Sequence, residues 1–242
     1  MSNLLSKEYT VPVSACDNTG KISIPALFDL FMDLATEHAA ILDIGSDKLS
    51  QRGCFWIAAK TRIQFSSRPR MLHTVTASSW PEKPGNIRYN RYYTVKDGED
   101  VIIKGKTEWT ILDMATMRPC KSSEVYPQDM IHLEDTVCEE PFSRISTDFS
   151  DAQEILSYTV SSRDIDLSHH MNNVAYIRAV LSAFSCKEIE DFNIREVEVA
   201  YRLQCFEGEK LSVFKRDTDD GFEIGIIKED GKTATTIKFI CG

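Results

Sequence analysis

The sequence predicts an α+β protein built from one unit used twice, a long helix wrapped by a strongly bent antiparallel sheet and then a second copy of the same arrangement. Three observations predict it. The order strand, long amphipathic stretch, run of alternating strands occurs before residue 113 and again after residue 154. Between the two, residues 113–156 carry Pro119, Pro127 and Pro141 with the acids Glu134, Asp135, Glu139 and Glu140, the composition of a linker crossing a surface. Finally, residues 13–17 align with 160–164, a register that sets Leu27 against Val174, Leu30 against Ile177 and Leu34 against Leu181.

In chain order, residues 8–15 alternate as a strand and Gly20-Lys21 closes a turn. Ser23 is placed to cap a helix with Pro25 in its first turn, and the helix runs over about 25–43 until Gly45 stops it. Its apolar face (Leu27, Leu30, Phe31, Leu34, Ala35, His38, Ala39, Leu42) is wide enough to be largely buried. Stretches 55–65, 74–80, 86–96 and 101–112 are rich in β-branched and aromatic residues, with turns at Pro84-Gly85 and Asp97-Gly98. After the linker, 155–162 reads as a strand, 163–188 as a polar stretch leading into a helix, and 193–204, 210–216, 222–228 and 233–240 as strands. Asp219-Asp220-Gly221 and Asp230-Gly231 form the turns of this half. The arrangement expected is a tandem double hot-dog, two long helices each hidden in the concave side of a sheet, with sheets joining edge to edge so that fewer edges stay open. The expected divisions are an N-terminal unit over 1–125, a linker over 126–153 and a C-terminal unit over 154–242.

Composition excludes several classes. Apolar residues make up 42% and charged residues 27% of 242, as in a soluble globular protein, and no stretch approaches a membrane span. The start, Met-Ser-Asn-Leu-Leu-Ser-Lys-Glu, has neither the basic-then-apolar pattern of a secretory signal nor the arginines of a transit peptide, so a cytoplasmic protein is expected. Seven cysteines (16, 54, 120, 138, 186, 205, 241) are scattered without a Cys-x-x-Cys pair, which argues against a disulfide framework and a zinc site; no metal or cofactor is expected. The net charge of −9 argues against nucleic acid. Within it, residues 60–91 carry seven basic side chains (Lys60, Arg62, Arg68, Arg70, Lys83, Arg88, Arg91) against one acid, Glu82. This stretch reads either as solvated strand and turn charges or as a docking face for an acidic partner or a phosphate.

The densest chemistry lies in 163–176, Arg-Asp-Ile-Asp-Leu-Ser-His-His-Met-Asn-Asn-Val-Ala-Tyr, directly before the apolar stripe Val174, Ile177, Val180, Leu181, Phe184. Imidazole titrates near neutrality, so His170 can carry a proton; Asp166 can orient it or activate water; Ser168 can position that water. Helix-start N–H groups near Asn172 and Asn173 can hold a developing oxyanion. Read individually, the aspartates and asparagines also fit turn and cap chemistry, His169 a solvated neighbour, and Cys205 a buried thiol.

In this stretch the chain resembles the acyl-acyl carrier protein (acyl-ACP) thioesterases of plants and bacteria, whose motif is Asp-x-Asp-x-Asn-x-His-x-Asn-Asn-x-x-Tyr. Asp164, Asp166, His170, Asn172, Asn173 and Tyr176 match it. Tyr201-Arg202-Leu203-Gln204-Cys205 resembles the family's Tyr-x-x-Glu-Cys. Glu37-His38, Phe55-Trp56-Ile57-Ala58, Ser79-Trp80 and the run from Glu108 to Asp113 before Arg118-Pro119 extend the resemblance over the first half. The resemblance implies thioester hydrolysis with Asp166 and His170 in catalytic positions. Ser168 stands where the family has asparagine and Gln204 where it has the second acid; an amide cannot act as a base. Cys205 takes the position once read as a nucleophile. The resemblance further implies an N-terminal unit that holds the acyl chain and a C-terminal unit that carries the chemistry; in the first, Phe31 and Trp56 read either as lining of a tunnel for an alkyl chain or as plain core. Acyl carrier protein is then the partner, met by Arg68 and Arg88, and the assembly is a monomer or a homodimer. The rival readings are an acyl-CoA thioesterase and a weakly active or non-catalytic acyl-binding protein.

Overall fold

The structure is a computed structural model that describes residues 3–127, 130 and 132–242; residues 1 and 2 of the N-terminus and 128, 129 and 131 of the expected linker lie outside the described residues. The chain forms two units, 1–140 and 141–242. The first contains β1 (Leu5–Thr10), α1 (Ile24–Ile41), α2 (Ser46–Ser50), β2 (Cys54–Phe65), β3 (Thr74–Pro81), β4 (Tyr89–Asp97), β5 (Asp100–Asp113) and α3 (Ser122–Val125). Its strands are antiparallel in the order β1-β3-β4-β5-β2. The second contains β6 (Gln153–Thr159), α4 (Asn173–Leu181), α5 (Cys186–Asp191), β7 (Ile194–Tyr201), β8 (Lys210–Thr218), β9 (Gly221–Lys228) and β10 (Thr233–Cys241), antiparallel in the order β7-β10-β9-β8-β6. This is the expected double hot-dog.

Ser23 starts α1 as its position predicts, its Oγ accepting the Ala26 N–H at 3.3 Å. Three details differ from expectation. The first strand stops at Thr10, and Val13–Ala15 form a short 3-10 turn after Pro12, a residue with no N–H to give a strand ladder. Helix α1 is ended by Asp43, which takes the left-handed conformation (φ 60°), while Gly45 precedes α2 where a Cβ would come within 3.1 Å of the Ala40 backbone. The second central helix is short. Ser185 and Glu188 form a capping box that starts α5, so the apolar stripe breaks after Leu181. Phe184 then packs against Phe192 and Phe222, at 5.1 and 5.8 Å between ring centroids.

The segment between the units does more than cross a surface. Cys120, Val125 and Tyr126 join the core cluster of the first unit with Leu42, Ile44, Leu49, Cys54, Tyr89 and Ile111. Arg62, itself buried, donates to the Glu140 carbonyl at 2.8 Å. In the second unit, buried Glu198 accepts the Ser143 N–H at 2.6 Å, and Ile145 and Phe149 are core residues.

Each core has one glycine that admits an aromatic ring. Phe31 of α1 stacks on Tyr93 at 4.4 Å, and a Cβ on Gly105 would sit 2.2 Å from its ring. A Cβ on Gly225 would sit 2.4 Å from the ring of Phe149. Phe31 is fully buried in this stack, the place of a core residue. Gly105→Ala is expected to destabilise the chain by about 1–3 kcal/mol through overpacking, read as a lower urea midpoint. Phe31→Leu in the same chain should recover part of that loss.

Candidate active site

The polar stretch folds as a tight loop between β6 and α4. Ser162–Asp164 make a 3-10 turn closed by a capping box with Ser161. Asp164 is 7% exposed, and its Oδ2 accepts from Ser161 N (2.8 Å), Ser161 Oγ (2.7 Å) and Tyr158 OH (2.8 Å). Burial opposes its charge, but these donors outweigh it and hold the carboxyl below the usual carboxylate range. Beyond it, Ile165 bridges to Met171, Asp166 N donates to His170 O at 3.1 Å, and His169 N donates to Asp166 O at 3.0 Å. His169 sits at φ 62°, exposed at the corner. Asn172 N donates to Asp164 O at 2.7 Å, and the Asn172 side chain caps α4 by accepting Val174 N at 2.8 Å.

This loop sets the candidate residues in place. Asp166 spends Oδ1 on the Ser168 N–H at 2.8 Å, and its other oxygen makes no hydrogen bond among the described residues. His170 is half-buried; its Nδ1 lies 3.4 Å from the Met171 carbonyl, a long contact that favours hydrogen on Nδ1 and leaves Nε2 as the acceptor. Met171 N donates to Cys205 O at 2.7 Å, which straps Gln204–Cys205 beside His170–Met171. No hydrogen bond joins the side chains of Asp166, Ser168, His170 and Gln204 to one another among the described residues. Asn173 opens α4, and Tyr201 OH donates to its carbonyl at 3.2 Å.

Two residues of this stretch sit as their turn, cap and buried-thiol readings describe. Cys205 is fully buried beside Tyr176, and burial pushes its thiol pKa up, the opposite of the acidified thiol that a nucleophile needs. Asn172 caps the helix, its side-chain oxygen accepting the Val174 N–H. Sequence reading also missed Lys228, which donates to the Gln204 carbonyl at 3.0 Å and pairs with Glu209 at 2.9 Å. No motif marks it, because it arrives from β9.

The same loop exists in the first unit. Asp17 N donates to Lys21 O, Gly20 N to Asp17 O and Ser23 N to Ala15 O, Cys16 bridges to Ile22, and Asp17 Oδ1 accepts the Thr19 N–H. Asp17 therefore corresponds to Asp166, Gly20 to His169, Lys21 to His170 and Ser23 to Asn172. That register is two residues from the one expected, which paired Asp17 with Asp164. An apolar helical face recurs every three to four residues and tolerates such a slip, whereas the hydrogen-bonded turn does not. The first copy has thus kept the acid and carries lysine in place of the histidine.

Asp17 is engaged by Arg68, which also donates to the Ile22 carbonyl at 2.7 Å. Arg68 is accordingly a structural charge and not the docking residue expected. Arg62 and Arg91 are buried as well, so the basic stretch is no continuous docking face. Arg88 does stand out, 70% exposed at its side chain and 3.4 Å from Glu108. In the first unit a cavity of about 80 Å³ is lined by Ala35, Thr36, Ala39, Ser46, Trp56, Arg91 and Trp109. Trp56 lines it, held by its Nε1 donating to Ile44 O at 2.8 Å.

Sequence models of the acyl-ACP thioesterase N-terminal domain and C-terminal domain match residues 2–128 and 148–240. The chain belongs to the acyl-ACP thioesterase family. This acyl-ACP thioesterase family member is 23% identical over 196 residues to a chloroplastic palmitoyl-acyl carrier protein thioesterase of Cuphea hookeriana, covering 76% of this chain and 47% of that protein. With a chloroplastic oleoyl-acyl carrier protein thioesterase of Coriandrum sativum it shares 22% over 200 residues, 76% of this chain and 54% of that one. The chain thus spans about half the length of the plant proteins it matches. Its fold matches an acyl-ACP thioesterase from Bacteroides thetaiotaomicron with a TM-score of 0.91 at 22% identity over 100% of both chains. It also matches a 12:0-ACP thioesterase from Umbellularia californica with a TM-score of 0.85 at 16% identity, over 99% and 97%. Among the described residues no helix is long and apolar enough to cross a membrane.

The Asp164 carboxylate gives a pH-dependent prediction. Its folded pKa is depressed, so the stability it contributes is present above the unfolded value of about 3.9 and is lost as pH falls through the folded value. Asp164→Asn is expected to cost about 1–3 kcal/mol in urea unfolding at pH 7. The gap from wild type should narrow as the pH is lowered through the acid range.

Proposed function

We propose that this chain hydrolyses the thioester of an acyl group carried on acyl carrier protein and releases the free fatty acid, as a step of fatty acid synthesis. The observation that supports the reading is the 165–171 loop, which carries Asp166 and His170 and is tied through Met171 N to the carbonyl of Cys205, the neighbour of Gln204, in a chain whose two halves match the family's two domains. In this reading His170 Nε2 takes a proton from water, and Asp166, through its unused oxygen, orients the imidazole or the water. The N–H of Asn173, at the positive end of α4, is the donor offered to the thioester oxygen. Gln204 and Ser168 orient water and carry no proton. The second unit supplies the chemistry and the first, with Trp56 at its cavity, the acyl-chain site. Acyl carrier protein meets Arg88, whose exposure supports the role. The seven free cysteines fit a reducing compartment such as the cytoplasm.

The amide at Gln204 favours one second reading, a weakly active or non-catalytic acyl-binding protein. The deciding experiment measures turnover of acyl-ACP and acyl-CoA of several chain lengths. Wild type is expected to turn over acyl-ACP with the higher kcat/KM. His170→Ala should lower it by about 10²–10⁴-fold, the range of a lost general base. Cys205→Ala should leave it within a few-fold, since the thiol takes no part. No hydrolysis by wild type with activity gained in Gln204→Glu would establish the acyl-binding reading instead; faster turnover of acyl-CoA would change the carrier. Arg88→Glu should raise KM for acyl-ACP and leave a small thioester unaffected.

A further inference from the structure

The wall of the first unit's cavity contains an arginine that an alkyl chain does not need. Arg91 comes from β4 and is 5% exposed, yet its side chain lines the cavity with Trp56, Trp109, Ala35 and Ala39. Its Nη1 donates to His38 Nδ1 and to Ser79 Oγ, each at 3.0 Å. Neither bond supplies a negative charge, and an arginine donating to Nδ1 keeps that imidazole nitrogen unprotonated. Among the described residues no carboxylate pairs with Arg91, and its Nε and Nη2, with three N–H groups, have no hydrogen-bond partner. Guanidinium remains charged at neutral pH even though burial pulls its pKa down. A buried cation without a counter-charge is costly in a protein interior, and replacement by an apolar residue would remove the cost. Arginine on the wall of a largely apolar cavity, where the other polar side chains are the Thr36 and Ser46 hydroxyls and the Trp109 N–H, therefore points to an acceptor that arrives with the ligand.

We propose that this cavity is a subsite for an alkyl chain bearing a hydrogen-bond-accepting oxygen, hydroxyl or carboxylate, and that Arg91 recognises the oxygen. Trp56, Trp109, Ala35 and Ala39 pack the methylenes next to it, and Nε and Nη2 of Arg91 donate to the oxygen. A cavity of about 80 Å³ is several times the roughly 10–15 Å³ that one water occupies on the same measure, so it takes a short oxygen-bearing section of the chain and not a whole long acyl group. The inference deepens the reading of the first unit as the acyl-chain half. It names the substrate class as oxygenated acyl groups in preference to plain alkyl ones. His38 and Ser79 are positioning residues that hold the guanidinium through Nη1.

The test begins with binding to the intact chain, so that it does not depend on hydrolysis. Trp56 and Trp109 line the cavity, and their fluorescence reports occupancy on titration with octanoate, 1-octanol and 1-chlorooctane. Octanoate and 1-octanol are expected to bind about tenfold or more tightly than 1-chlorooctane, the order of a hydrogen bond to a charged group, and to displace one another. In Arg91→Met the preference should vanish while 1-chlorooctane binds as before. Equal affinities in wild type, or a preference that survives Arg91→Met, would overturn the proposal; the wild-type comparison decides it even where the variant does not fold. Turnover of equal-length acyl and terminally hydroxylated acyl thioesters is measured alongside. An oxygen preference in binding with no hydrolysis of either thioester would leave the subsite standing and remove the thioesterase reading. Hydrolysis without any oxygen preference in binding would do the reverse.

Discussion

One backbone hydrogen bond closes each strand-to-helix loop, Ser23 N to Ala15 O in the first unit and Asn172 N to Asp164 O in the second. It turns the chain by a fixed amount between the short 3-10 turn and the helix cap, so that the cap residue meets the first helical N–H groups. The placement of the candidate residues in the second unit follows from that closure. With the loop pinned at both ends, the residues between have one way to run, and it places His170 next to the Gln204–Cys205 strap. Asp164 reinforces the closure from inside by gathering three donors on one oxygen. It is an acid of the motif that supports and does not react.

The two copies of the loop show how one backbone form is used for different ends. In the first, Asp17 accepts from Thr19 through one oxygen and from Arg68 through the other, so no oxygen is left for chemistry. In the second, the Asp166 carboxylate accepts only the Ser168 N–H among the described residues, and a half-buried imidazole replaces a lysine. The corner differs too. Gly20 takes the left-handed conformation at no steric cost, whereas His169 takes it with a side chain, a small strain of the kind that collects near functional sites. The two copies thus differ in which side chains remain uncommitted: Asp17 is engaged through both oxygens, Asp166 through one.

Much of this was legible in the residues. Caps, hairpin turns and apolar periodicity place Ser23, Gly98 and most strand limits, because those are local properties. The duplication was legible as well, but its register was not. Leu27 and Val174 both lie on apolar helical faces, and such faces match at several shifts, while the hydrogen bonds that fix the pairing of Asp17 with Asp166 leave no trace in composition. Arg68 and Arg91 read as surface charges for a similar reason. Their partners, Asp17, His38 and Ser79, lie far away in sequence, and burial of a cation depends on tertiary pairing. Phe31 reads either way because a ring on a buried helix looks the same whether it faces a cavity or a glycine on the neighbouring strand.

That glycine has a counterpart. At Gly225 of β9 the space a side chain would fill is taken by Phe149, which precedes the first strand of its unit. The ring is therefore a piece of the second core supplied in advance of the sheet it completes. In terms of chain dissection, a fragment beginning at β6 would expose an aromatic-sized slot on β9 and lose the Glu198–Ser143 clasp, whereas one beginning near Pro141 would carry its own plug. The compact unit of the second half starts well before its first recognisable element of secondary structure.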